Sequence, residues 1–418
     1  MDSLTRRKFL ITSGVVAGGA LAAGAGVLTF ADLLATADDP SRAPGDRTLV
    51  VVTLYGGNDG LATVVPYADN AYHDARPGLS YTAEQVLRID DRTGLNPSLK
   101  GLRKLYDAKQ LAIVRGVGYP KPDRSHFRSM DIWQTANPVR PVNTGWLGRW
   151  LDTAGGDPRL AVSFEPVLPP LLAGEKSAGA AVPVSGLKLA RGVTEQTVRA
   201  LGKPSPGEPT LQSRAAACFD DLLTVDAMIN NVKDVAASTE PDDNPDDEPA
   251  TGTGGARTPL AAQLDLVAQC VEAGVSTRVF SVSLGGFDFH AAEKVAEERL
   301  LAEFDSAVST FVARLGRSER GRKVTTLVYS EFGRRVRANA SDGTDHGTAS
   351  NVFLAGPAIA GGRLIGEQPS LTDLDDGDLK STMDFRDIYA SMLADVLGAD
   401  AGRILDGWTG RLDGLLQA

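Results

Sequence analysis

The chain has 418 residues and a formal net charge of −10, with a pI near 5.1, enough chain for one large α/β domain or two smaller ones with a sizeable core. That acidic balance argues against a nucleic-acid partner, because phosphate-backbone binders carry a basic face. Two cysteines, Cys218 and Cys270, are too few for a cysteine-built metal site. They could pair in an oxidising compartment, but both stand in apolar, helix-like segments where buried free thiols are the plainer reading.

At the N-terminus, Thr5-Arg6-Arg7-Lys8-Phe9-Leu10 sets two adjacent arginines before a mild apolar run from Ile11 to Phe30, rich in Gly and Ala. This is the order of a twin-arginine export signal. The run approaches the roughly 20 residues of a membrane-spanning helix, yet its glycines and its place behind Arg6 and Arg7 favour a removable segment. Ala35-Thr36-Ala37 offers a small-x-small cleavage site before Asp38. The expected organisation is a signal peptide over 1–37 and a single α/β domain over 38–418, carried by the twin-arginine translocase to the periplasm, the cell envelope or the medium. That route takes folded passengers, many with a cofactor already bound, which hints at one here.

Arg47 to Tyr55 reads as a buried strand broken by Gly56-Gly57-Asn58-Asp59-Gly60. Asn96 to Lys109 is helical, Leu111 to Val114 forms a second strand, and Gly116 to Ser125 is a loop feeding a helix from His126 to Ala136. Leu160 to Phe164 gives a third strand, Ser185 to Ser205 shows no clean periodicity, and helices are expected at Leu211 to Val235 and Leu260 to Ala273. Between those helices the stretch 239–256 mixes acids with Pro, Gly and Thr and cannot bury a core. It reads as a disordered acidic insert rather than a calcium loop, because prolines interrupt it and EF-hand spacing is lacking. Arg278 to Leu284 is a strand ending at Gly285-Gly286-Phe287-Asp288-Phe289-His290, Glu293 to Leu315 is an amphipathic helix, and Lys323 to Tyr329 is a strand ending at Ser330-Glu331-Phe332-Gly333-Arg334. Strands alternating with helices predict a mostly parallel central sheet flanked by helices.

Three of the four histidines, His126, His290 and His346, stand in polar loops beside Ser or Asp. Any one alone would be an ordinary surface or core histidine. Their shared context, with Asn58-Asp59 and Glu331 after further strands, points to one crevice at the carboxyl ends of a parallel sheet. Carboxylates with imidazoles and no thiolate suit a divalent ion such as zinc, manganese, magnesium or calcium. Asp59, Asp288, His290, Glu331, Asp345 and His346 together exceed what one ion needs, and a pair of ions is the logic of phosphoryl and sulfuryl hydrolysis. Arg124, Arg128 and Arg334 flank the motifs and could orient an anion, although surface pairing explains each of them equally well.

Gly-Gly-Asn58-Asp59-Gly, Arg124-Ser125-His126-Phe127, Gly-Phe-Asp288-Phe-His290, Ser-Glu331-Phe-Gly-Arg334 and Thr-Asp345-His346-Gly, behind a twin-arginine signal, resemble the bacterial family catalogued as domain of unknown function 1501. The resemblance covers nearly all of the chain after the signal, interrupted by the acidic insert. That family is grouped with the alkaline phosphatase and sulfatase superfamily, which implies a sheet flanked by helices and a site for one or two divalent metals at the strand ends. By this likeness Asp59, Asp288, His290, Glu331, Asp345 and His346 would be metal ligands, Ser125 would fall at the nucleophile position, and His126 and Arg334 would assist catalysis. Phe332 departs from the pattern, because it stands where the superfamily has a histidine, and the Asp288 to His290 gap is short. No Cys-x-Pro-x-Arg signature accompanies Ser125, which argues against formylglycine chemistry. The resemblance implies an exported hydrolase of small anionic phosphate or sulfate esters. The alternative is a non-catalytic binding or assembly protein on the same fold. Oligomeric state is left open.

Overall fold

The computed structural model describes residues 33–34, 46–165, 167–182 and 259–417. The twin-arginine run, the stretch Ser185 to Ser205, the helix expected over Leu211 to Val235, the acidic insert at 239–256 and Cys218 lie outside the described residues. Leu33 is buried in the main core and Leu34 packs against it, a seat open only to a chain that keeps residues ahead of Ala37.

Nine strands make the central sheet: β1 (Thr48–Leu54), β2 (Leu111–Gly118), β3 (Ala161–Ser163), β4 (Ala180–Ala181), β5 (Val279–Leu284), β6 (Val324–Ser330), β7 (Ser350–Ala355), β8 (Arg363–Ile365) and β9 (Met383–Asp384). Their order is β8-β2-β7-β6-β1-β5-β3-β4, with β9 pairing β2. Every pairing is parallel except the two made by β7. The strands are apolar on both faces, as a sheet covered on both sides requires. Val50, Val52 and Leu54 face one core while Leu49 and Val51 face the other.

Helices α1 (Lys100–Asp107), α2 (His126–Thr135), α3 (Trp146–Thr153), α4 (Leu260–Ala273), α5 (Glu293–Leu315) and α6 (Phe385–Ser391) cover these faces. The first core takes side chains from α1, α4 and α5, and the second from α2, α3 and α6. In the second, Trp133 stacks on Tyr329 with centroids 4.9 Å apart and Trp146 on Tyr389 at 4.3 Å, contacts that add about 0.5–1.5 kcal/mol each to simple burial. Cys270 is a buried free thiol in α4. Among the described residues no helix is long and apolar enough to cross a membrane.

The expected elements that fall on described residues are present with boundaries moved by a few residues, and two differences bear on the site. Gly116, expected to open a loop, lies inside β2, which continues to Gly118 by pairing with β7 across a bulge and with β9. Because β7 runs against its neighbours, the residues that enter it meet the residues that leave β1, β5 and β6 at one edge. Gly56 makes a close approach there: its φ is +116°, and a Cβ on it would come within 2.7–2.9 Å of the backbone of Phe287 and Asp288. Only glycine fits.

Candidate functional site

His126 opens α2, Asp288 and His290 follow β5, Glu331 and Arg334 follow β6, and His346 precedes β7. Each histidine at the centre is oriented from behind. His346 Nδ1 lies 2.9 Å from the Arg124 carbonyl oxygen, which can only accept, so Nδ1 carries a proton and Nε2 is the atom left for Asp288 or for a ligand. His126 Nδ1 lies 2.8 Å from Glu331 Oε1, the carboxylate-behind-histidine arrangement common around bound metals.

Both Nε2 atoms then face Asp288. His346 Nε2 is 2.9 Å from Oδ1 and His126 Nε2 is 3.3 Å from Oδ2. His290 adds its Nε2 at 3.0 Å from Asp288 Oδ1 and 3.0 Å from His346 Nε2. One atom each from His126, Asp288 and His346 lie within 4.8 Å of one another. Ligands about 2.0–2.1 Å from a tetrahedral zinc sit roughly 3.4 Å apart, so these separations are those of a coordination shell slightly contracted. His126 Nε2 is buried, and its 3.3 Å contact with Asp288 Oδ2 is not a well-formed hydrogen bond. An unpartnered lone pair facing a carboxylate needs a proton or a cation between them. Burial lowers the proton affinity of His126, but Asp288 and Glu331 outweigh it and raise its pKa to about 9. Burial works against the Asp288 carboxylate as well, and His126, His346 and Arg334 overcome it and hold its pKa well below the ordinary range. The donor set therefore fits a divalent ion.

The remaining residues singled out from the sequence take other places. Glu331 stands behind His126, not beside the Asp288 carboxylate, and accepts from the Gly56 amide at 2.9 Å and the Ser330 hydroxyl at 3.0 Å. Asp345 is exposed at the rim, 3.5 Å from His290 Nδ1. Arg334 is buried and binds the carbonyl oxygens of Gly56, Gly57, Phe287 and Thr344 at 2.6–3.0 Å and Asp288 Oδ1 at 2.8 Å. It orients Asp288 and cannot reach a ligand in solution. Ser125 is the exposed N-cap of α2, its side chain makes no capping bond, and its amide donates to Asp123 Oδ1 at 2.8 Å. Phe332 packs against His126 and His346, centroids 4.9 Å from each.

Asp59 is outside the group, a correction to its expected role as ligand. Arg76 grips both of its oxygens, and the Leu61 amide donates to Oδ1 at 3.0 Å. Both side chains are only 1% exposed. Burial disfavours the charge on Asp59, yet Arg76 reverses the balance and its pKa falls below normal. Beside this pair lie Glu293, which accepts from Thr344 Oγ1 at 2.6 Å, and Glu297, which accepts from Asn58 Nδ2 at 2.8 Å. Burial first and Asp59 second push Glu293 up to about 8. Arg76, Glu293 and Glu297 were not anticipated from sequence. Glu293 and Glu297 had a signal: steps of three and four from them reach Leu301, Phe304, Val308 and Phe311, all buried in α5, so the acids continue the helix's inward stripe. Arg76 had none. Among the described residues only the His126, Asp288 and His346 group gathers three possible metal ligands, so the second ion finds no second group there.

Among solved structures the chain is similar to an alkaline phosphatase superfamily protein from Vibrio parahaemolyticus, with a TM-score of 0.41, 11% identity, 91% of this chain and 77% of that chain covered. It is also similar to murine ectonucleotide pyrophosphatase/phosphodiesterase 5 in complex with AMP, with a TM-score of 0.35, 10% identity and coverages of 87% and 100%. A phosphonate monoester hydrolase from Silicibacter pomeroyi gives a TM-score of 0.35, 13% identity and coverages of 88% and 75%. No curated protein sequence matches the chain. Residues 46–417 match the family described as "Protein of unknown function (DUF1501)", and the chain belongs to that family.

Proposed function

We propose that the chain is an exported hydrolase of small phosphate or sulfate esters that holds one divalent ion between His126, Asp288 and His346, with His290 at its outer side. The observation that carries this reading is the pair of imidazoles whose Nδ1 atoms are fixed by Glu331 and the Arg124 carbonyl while both Nε2 atoms face Asp288. A divalent ion supplies Lewis acidity toward a phosphoryl or sulfuryl oxygen. Arg334 keeps Asp288 in place, Phe332 packs against both rings, and Ser125 offers an exposed hydroxyl one residue from His126 as the attacking group. Export rests on Arg6 and Arg7, with the translocase as partner in transit.

The test is metal content of the folded protein supplied in turn with zinc, manganese, magnesium and calcium, with hydrolysis of aryl phosphates and sulfates measured alongside. Binding of none of the four sinks the metal reading. Ser125→Ala should keep the metal and lose turnover, and full activity in that variant would remove serine as nucleophile. N-terminal sequencing of exported chain decides between a start at Asp38 and retention of the segment that contains Leu33. A metal-binding protein without turnover is the second reading. Arg334 favours it, because its guanidinium at 2.8 Å already neutralises Asp288 Oδ1.

A further inference from the structure

Beside the histidine group lies a cavity of about 400 Å³ lined by Lys121, Arg124, Trp133, Phe332, Asp376 and Lys380 among others. It is continuous with the site through two residues: Phe332 packs on His126 and His346, and the Arg124 carbonyl fixes His346. Arg124 lines it, and Arg335 meets the same two aspartates of its wall, Asp376 and Asp378. Arg124 reaches Asp378 at 2.6 Å and Asp376 at 3.0 Å, while Arg335 reaches Asp376 at 3.4 Å and Asp378 at 3.5 Å.

The two aspartates are not alike. Asp378 has its side chain 3% exposed and holds both arginines from below. Asp376 is 82% exposed at the tip of a two-residue hairpin between Leu374–Asp375 and Asp378–Leu379. Asp376 has φ +51° and Gly377 +85°, the two positive values of a type I′ turn. Its tip carboxylate bridges two arginines yet is almost wholly in water, where such pairs contribute little. Hydrogen bonding to Arg124 holds its carboxyl below the usual range, so it is an anion at any ordinary pH.

We propose that Arg124 and Arg335 form the anion-recognition pair of the site, and that the Asp376 carboxylate occupies it in the resting chain as an internal stand-in for the ligand's phosphate or sulfate group. The proposal rests on the hydrolase reading for the nature of the ester, but the binding of the anion stands without turnover. Paired guanidiniums are the side chains suited to forked bonds with a tetrahedral oxyanion. An incoming anion displaces Asp376 from both arginines while Asp378 keeps them aligned, and the hairpin tip swings outward about its glycine.

The test is calorimetric titration of the full chain with inorganic phosphate and, separately, sulfate, in chelator so that no metal contributes. Asp376→Asn removes the competitor and should tighten binding about fivefold, the upper range for loss of an exposed ion pair. Arg124→Gln and Arg335→Gln should each weaken it by about tenfold or more, as expected for charge-assisted contacts. Thermal melts confirm folding, and Asp376→Ala repeats the first arm should the Asn variant prove unstable. Unchanged affinity in the Asp376 variant, or undiminished affinity in both arginine variants, overturns the proposal. Anion binding that follows this pattern without ester hydrolysis sinks only the hydrolase reading. Hydrolysis without the pattern sinks only this one.

Discussion

Two carboxylate clusters stand at the same edge of the sheet and solve one problem in different ways. Around Asp59 the neutralising charge is built in, since Arg76 is buried with it and binds both oxygens. Around Asp288 most neighbours are imidazoles, two of them with Nδ1 already committed and Nε2 turned inward. The charge on Asp59 is balanced as folded, and the second cluster is completed by a proton on His126 or by a metal ion. Carboxylates gathered at strand ends therefore predict a cation without saying whether the chain supplies it.

Removing Arg76 separates the clusters most sharply. Arg76→Met leaves Asp59 buried without its partner and should destabilise the fold by about 3–5 kcal/mol, read from the urea midpoint, while any metal bound by the surviving folded protein stays the same. Adding Asp59→Asn should recover much of that loss, because the pair disappears together. An Arg76→Met chain of full stability would show that the pair is not what neutralises Asp59.

At the second cluster the larger effects are on metal. His346→Ala should reduce zinc affinity by more than about 100-fold, with little change in the metal-free melting temperature, because a ligand is lost from a partly exposed position. Glu331→Gln keeps the shape but removes the charge behind His126, and should reduce affinity by about 10–100-fold. Equal affinity in wild type and both variants would place the metal elsewhere.

Acidity sharpens the contrast further. His126 is raised to about 9 in the metal-free fold, above the roughly 6.5 of an unfolded histidine. Its charged form thus contributes stability that is complete below about pH 6.5 and is lost as pH rises through about 9. Metal must displace that proton, so apparent affinity should climb by about tenfold per pH unit up to about 9 and then level. A flat profile from pH 6 to 9 would remove His126 from the ligand set.

The frame of the fold was legible because strands β1 and β6 are short runs of apolar and β-branched residues without a charge: Thr48–Leu54 and Val324–Ser330 lie within a residue of where the sequence puts them. Strand β7 was not read, because Ser350 and Asn351 dilute its apolar pattern and its direction is a property of the sheet. That reversal is what brings His346 to Asp288. For the site, the histidines announced themselves by their loops. Arg76 did not, because its partner lies 17 residues away and nothing local marks an arginine as buried.

A further pH effect tests whether the Asp59 cluster carries a proton of its own. Burial and the neighbouring Asp59 raise Glu293 to about 8, so at neutral pH its carboxyl is largely protonated and donates toward Asp59 while Thr344 donates to it. In the unfolded chain the same group ionises near 4.3. The folded state therefore binds the extra proton, and this contribution is complete below about pH 4.3 and declines as pH rises, levelling above about 8. A glutamine in its place would reproduce the neutral acid, with an amide to donate and a carbonyl to accept. Glu293→Gln should then be more stable than wild type by a clearly larger margin at pH 8 than at pH 5, giving a flatter stability profile in urea titrations. A variant that is less stable at pH 8 than wild type would mean that Glu293 is ionised in the fold, with Arg76 balancing two carboxylates rather than one.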